Sequence, residues 1–84
     1  MNNQSKPDAA SQPVLILAGS SSQYTEARRK LDLLPAEASW LTRVSNLTGK
    51  HRPKVFRFGD WKSLPNIKQI EEALEAAEAE MKDI

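Results

Sequence analysis

The chain has 84 residues, 39% of them apolar and 27% charged, with no cysteine, one histidine and a formal charge of +1. That length holds one small domain and leaves no room for a catalytic domain beside a substrate domain; the cysteine and histidine counts exclude disulfides and a Cys/His zinc site. The near-zero balance argues against a dedicated nucleic-acid binder, and no apolar run approaches the roughly 20 residues of a membrane helix, so a cytoplasmic location is expected.

Met1 to Pro13 (MNNQSKPDAASQP) is polar, carries two prolines and lacks the basic start and apolar core of a signal peptide. It cannot repay the entropy of being ordered and is expected to be a flexible tail, leaving residues 14–84 as a single small domain. A core of that size nets only about 3 to 5 kcal/mol, and with disulfides and metal excluded, a partner chain or a second copy is the remaining way to bury more surface.

Val14-Leu15-Ile16-Leu17-Ala18-Gly19 is a continuous apolar run that stops at a glycine and the triple serine Ser20-Ser21-Ser22. Apolar residues on both faces of a strand need cover on both faces, so this is read as the central strand of a parallel sheet. One of the serines can cap the helix that follows, with Glu26 placed in its first turn; Tyr24, Ala27, Leu31 and Leu34 share the face that packs on the sheet, and Pro35 stops it. Trp40 to Val44 suits a short second strand, and Ser45 or Asn46 can cap a single helical turn through Leu47 that ends at Gly49. Lys54 to Gly59 is the third strand, with Phe56 and Phe58 on one face and Val55 and Arg57 on the other, in the manner of a sheet edge. Asn66 with Gln69 makes an Asn version of the capping box, and Ile67, Ile70, Leu74, Ala77 and Met81 recur at helical steps through the last helix.

The resulting expectation is an α/β fold: a three-stranded parallel sheet in the order 2-1-3, with a helix on each face. Ligands of such sheets bind at the carboxyl ends of the strands. That rim carries Ser20, Ser21, Ser22 and Gln23 from the first loop, Ser45 and Asn46 from the second, and Gly59, Asp60 and Trp61 from the third. Serine hydroxyls and amides at a helix start can hold a phosphate, and Trp61 can stack on a base, so Ser20, Ser21, Ser22, Gln23, Asp60 and Trp61 form the candidate ligand site. A helix cap with a tight turn is the simpler account of the serines, and a lid over the sheet edge or a packing role beside Leu64 that of the tryptophan. Gly19 to Ser22 lacks the further glycines of G-x-G-x-x-G, and Gly49-Lys50 lacks the rest of a P-loop.

Catalysis finds little support. The only histidine, His51, belongs to a basic turn expected at the opposite end of the sheet from the serines, and Asp60 is the only acid on the rim, so no nucleophile–base pair, carboxylate pair or metal cluster assembles. No cofactor and no metal are expected. The basic groups Arg28 to Lys30 and Lys50 to Arg57 would serve nucleic acid only if they converged on one face, and Lys50 to Lys54 has no aromatic residue for stacking. Basic residues in the middle of the chain and Glu71, Glu72, Glu75, Glu78 and Glu80 near its end suit electrostatic pairing between two copies or with a protein partner.

An apolar strand ending Ala18-Gly19, a helix with Ala27-Arg28, the turn Leu47-Thr48-Gly49, the Gly59-Asp60-Trp61 strand end and the loop proline Pro65 together resemble small uncharacterised proteins of tailed bacteriophages with a minimal Rossmann-like fold. The resemblance spans residues 14–74 and implies a phage accessory protein made inside a bacterium; it brings no catalytic residues with it. The expected function is non-enzymatic binding of a host or phage protein, with a homodimer as one form of association; the alternative is a minimal module that binds a nucleotide or phosphate at the Ser20 to Gln23 and Asp60-Trp61 rim.

Overall fold

The structure is a computed structural model that describes residues 13–84; the tail expected over Met1 to Pro13 lies, apart from Pro13, outside the described residues. Val14–Ala18 (β1) is the centre of a parallel sheet, and Leu15, Ile16, Leu17 and Ala18 are essentially without solvent contact. β1 pairs in parallel with Ala38–Trp40 (β2) on one side and Lys54–Phe58 (β3) on the other. The helices Ser21–Lys30 (α1) and Ile67–Ala76 (α2) cover opposite faces, as right-handed crossovers in this order require. On the α2 face Leu15, Leu17 and Val55 pack with Leu41, Leu47, Ile70 and Leu74. The α1 face is built on smaller residues, with Ala18, Ala27 and Ala38 around Ile16.

The three-stranded expectation is corrected to four strands. Glu80–Asp83 (β4) pairs in parallel with β3, giving the order β2-β1-β3-β4, so β3 is an interior strand and not an edge. The reason lies at the end of α2. Glu78 sits at φ +57, Ala79 N donates to Leu74 O and Glu78 N to Glu75 O, a Schellman motif that turns the chain out of the helix with no glycine or proline to mark it. Met81, expected on the helix's apolar stripe, is therefore in β4 and 41% exposed.

The first helix ends by the same device. Asp32 stands at φ +56, Leu33 N donates to Arg28 O and Asp32 N to Arg29 O, so α1 stops at Lys30, before Pro35. Leu34, past that stop, is 66% exposed and not on the packed face, and Glu26 falls beyond the first turn. The second strand is Ala38–Trp40, earlier than expected. Leu41 N still donates to Ile16 O, but the chain then bends, because Asn46 Oδ1 accepts from both Thr42 N and Arg43 N. Val44–Leu47 is a 3-10 turn in place of a crossover helix, and Leu47 is buried against α2. Asn66 precedes α2 without a side-chain cap bond; its Nδ2 donates instead to Thr42 O at 3.1 Å, tying α2 to the loop after β2.

Candidate functional site

In a sheet ordered 2-1-3-4 the connections leave β1 and β3 in opposite directions, so the crevice of a doubly wound fold lies between the carboxyl ends of these two strands. The loops there are Gly19-Ser20 and Gly59-Asp60. Ser20 caps α1, its Oγ accepting from Gln23 N at 3.2 Å, and this first turn aims the Gln23 side chain across the crevice. Gln23 Oε1 accepts from Gly19 N at 3.0 Å and from Asp60 N at 2.9 Å, while its Nε2 donates to Asp60 Oδ2 at 3.0 Å. The two strand-end amides at the crevice are thus already bonded to a side chain of the same molecule. The loops approach so closely that a Cβ on Gly19 would stand 2.7 Å from the Asp60 carbonyl oxygen. Gly59 adopts φ +64, and the Gln23 amide occupies the space its Cβ would need.

Ser20, Gln23 and Asp60 are therefore brought together, and Ser21 and Ser22 are exposed in the first turn beside them. Trp61 is not part of this group. It opens the 3-10 turn Trp61–Ser63 and packs against the α2-side core, with the Arg57 guanidinium 4.9 Å and Lys62 Nζ 5.5 Å from its ring centre. The ring lines an open groove of about 360 Å³ on the α2 face, floored by Leu17, Leu74 and Met81 and edged by Glu71, Glu75 and Lys68. The other tryptophan stands nearer to the end of β1: Trp40 Nε1 donates to Ala18 O at 3.1 Å and its ring stacks on Tyr24, 6.1 Å between centres. Asn46 is spent on holding its own loop, and Ser45 beside it is exposed. His51 is exposed in the loop before β3, at the end of the sheet away from the serines.

Comparison with models of protein families, with curated proteins and with solved structures finds no match to this chain.

What the geometry offers is an internal latch at the crevice and a mixed-charge groove beside β4. Part of the charge asymmetry along the chain is used internally: Arg52 Nε lies 3.4 Å from Glu78 Oε1, and Arg57 Nε 2.6 Å from Asp83 Oδ1, the second pair joining register partners of β3 and β4. Among the described residues no group of three or more His, Cys, Asp or Glu side chains could hold a metal ion, and no helix is long and apolar enough to cross a membrane. Gln23 and β4, whose outer edge no strand pairs among the described residues, are the features that sequence reasoning did not single out in these roles. The glycine at the end of each of β1 and β3 was the available signal for the first, since two glycines at facing strand ends mark a close approach. The second had no signal, because the turn that creates β4 is made by a glutamate.

Proposed function

We propose that this chain is a non-catalytic accessory protein that acts by binding another protein, encoded by a tailed phage and working in the bacterial cytoplasm. The observation that carries the reading is the Gln23 side chain in the switch-point crevice. It satisfies the Gly19 and Asp60 amides, so a phosphate there would have to break two formed hydrogen bonds and meet the Asp60 carboxylate beside them. Arg57, placed over Trp61 and paired with Asp83, likewise covers the indole that a base would stack on. With the Gly19 and Asp60 amides and the indole face engaged, what stays available, besides the exposed Ser21 and Ser22, is surface: the four exposed residues of β4 at the end of the sheet and the groove beside it. The resemblance of residues 14–74 to small phage proteins supports the biological setting.

The test is an amide-shift NMR titration of the purified chain with mononucleotides, inorganic phosphate, a short DNA duplex and a short single strand. The protein-binding reading expects no saturable shifts at Ser20, Ser21, Ser22, Gln23, Asp60 and Trp61. Saturable shifts at these residues with a mononucleotide would overturn it in favour of a nucleotide-binding module, and shifts spread over Arg28 to Lys30 and Lys50 to Arg57 that fade with salt would mean nucleic acid.

A further inference from the structure

We propose that the outer edge of β4, which no strand pairs among the described residues, is a self-association surface: two copies pair their β4 strands antiparallel about a twofold axis at Met81, joining their sheets into one. The proposal rests on the protein-binding reading and names its partner, a second copy of this chain.

Backbone direction gives the first argument. Glu80 N donates to Pro53 O and Ile84 N to Arg57 O, so the even-numbered residues of β4 turn their N–H groups toward β3. By the two-residue period of a strand, the N–H and C=O of Met81 and Asp83 point away from the sheet. In an antiparallel pair the outward-facing residues sit opposite one another, and Met81 facing its own copy is a pair that exchanges both of its hydrogen bonds.

Charge then selects the register. With Met81 opposite Met81, Glu80 of each copy faces Lys82 of the other, twice by symmetry, in the closely spaced pairs where side chains interact most. Sliding the strands one way by one step of the pattern puts Glu80 against Glu80. Sliding them the other way puts Lys82 against Lys82, and a further step puts Asp83 against Asp83. Only the Met81-centred register sets unlike charges together and no like charges. Charged residues on an edge strand ordinarily deter pairing, and here the same residues reject every register but one.

The surroundings fit. Glu80 and Lys82 share the α1 face of the sheet with their register partners Lys54 and Phe56, whereas Met81 and Asp83 lie on the α2 face with Val55 and Arg57. Met81 is 41% exposed and borders both the α2-side groove and a second concavity lined by Lys54, Phe56, Glu80 and Lys82. Pairing about Met81 places the methionine of each copy beside the groove of the other, and the interface is isologous and closed, with no edge left to grow a fibre there.

Sedimentation over a wide range of protein concentration reads the association, and amide hydrogen exchange reads the edge. The expected result is a concentration-dependent dimer in which exchange at Met81 N–H slows as dimer forms. Glu80→Lys and Lys82→Glu, each made alone, turn both cross-strand pairs into like-charge pairs and weaken the dimer about tenfold or more. Mixing the two variants restores association, because each then faces its opposite charge; this rescue also shows that both are folded. A monomer at every concentration, or a dimer indifferent to both reversals, overturns the proposal and leaves the protein-binding reading standing. Nucleotide shifts at Ser20 to Gln23 would overturn that reading and leave the sedimentation result as it is.

Discussion

Replacing Glu78 with glycine should leave the chain as stable as the wild type or more so, although it removes an ion pair. Glu78 occupies the left-handed region at φ +57, where an L side chain costs about 1–2 kcal/mol and glycine costs nothing. Glycine gives back about 0.5–1 kcal/mol through the extra freedom of its unfolded chain. The contact with Arg52 is long, 3.4 Å, with the two side chains 69% and 62% exposed, and such pairs contribute only about 0.2–1 kcal/mol. Alanine is the control, because Glu78→Ala loses the same pair and keeps the strained backbone. The glycine variant should therefore exceed the alanine variant by about 1 kcal/mol, which in a domain of this size is roughly 4–8 °C in Tm. Thermal unfolding followed by circular dichroism, with urea midpoints as a second measure, reads the difference. Equal stability of the two variants would refute the claim that α2 is ended by a strained left-handed glutamate.

Other perturbations follow from the same geometry. Gly19→Ala forces the first loop away from Asp60 and should cost about 1–3 kcal/mol, read from the urea midpoint. Leu74→Ala empties part of the α2-side core, where the side chain has no exposure, and should cost about 2–5 kcal/mol by the same measurement; a smaller loss would mean that α2 collapses onto the sheet. Gln23→Ala leaves the Gly19 and Asp60 amides to water and should cost about 1 kcal/mol, with faster hydrogen exchange at those two amides as its local signature.

Much of the architecture is legible residue by residue. The apolar run Val14–Ala18 declares a strand buried on both faces, Ser20 caps the helix after it, and Lys54–Phe58 carries the alternation of a strand, which is enough to order β2, β1 and β3. The last strand is hidden for a definable reason. Residues 75–80 are alanine and glutamate, both good helix formers, and Met81 continues the spacing of Ile70 and Leu74, so only tertiary pairing with β3 decides that the chain leaves the helix. Leu34 is misplaced by the mirror of this error at Asp32. At the crevice, Gly19 and Asp60 can be placed from strand ends alone. That Gln23 reaches into the gap cannot, because a polar residue in a first helical turn is equally at home in solvent. Trp61 is rotated to the other face by a three-residue 3-10 turn whose direction depends on what it packs against.

The two halves of the molecule answer to each other. Each begins with a five-residue strand closed by a glycine, Gly19 or Gly59, continues through a ten-residue helix, leaves it through an acidic left-handed residue, Asp32 or Glu78, and ends in an outer strand. A half-turn about an axis running along the strands between β1 and β3 carries β1 onto β3, α1 onto α2 and β2 onto β4, which is why the helices fall on opposite faces. In topology the molecule is two strand–helix–strand units related by that half-turn, and the Gln23 latch, present in one half only, is one of the places where the symmetry is broken, with the 3-10 turns Pro35–Glu37 and Trp61–Ser63. Severing the chain near Gly49 would then yield two pieces that each expose an inner strand, and the expected outcome of mixing them is complementation, with the β1–β3 seam re-forming between separate chains.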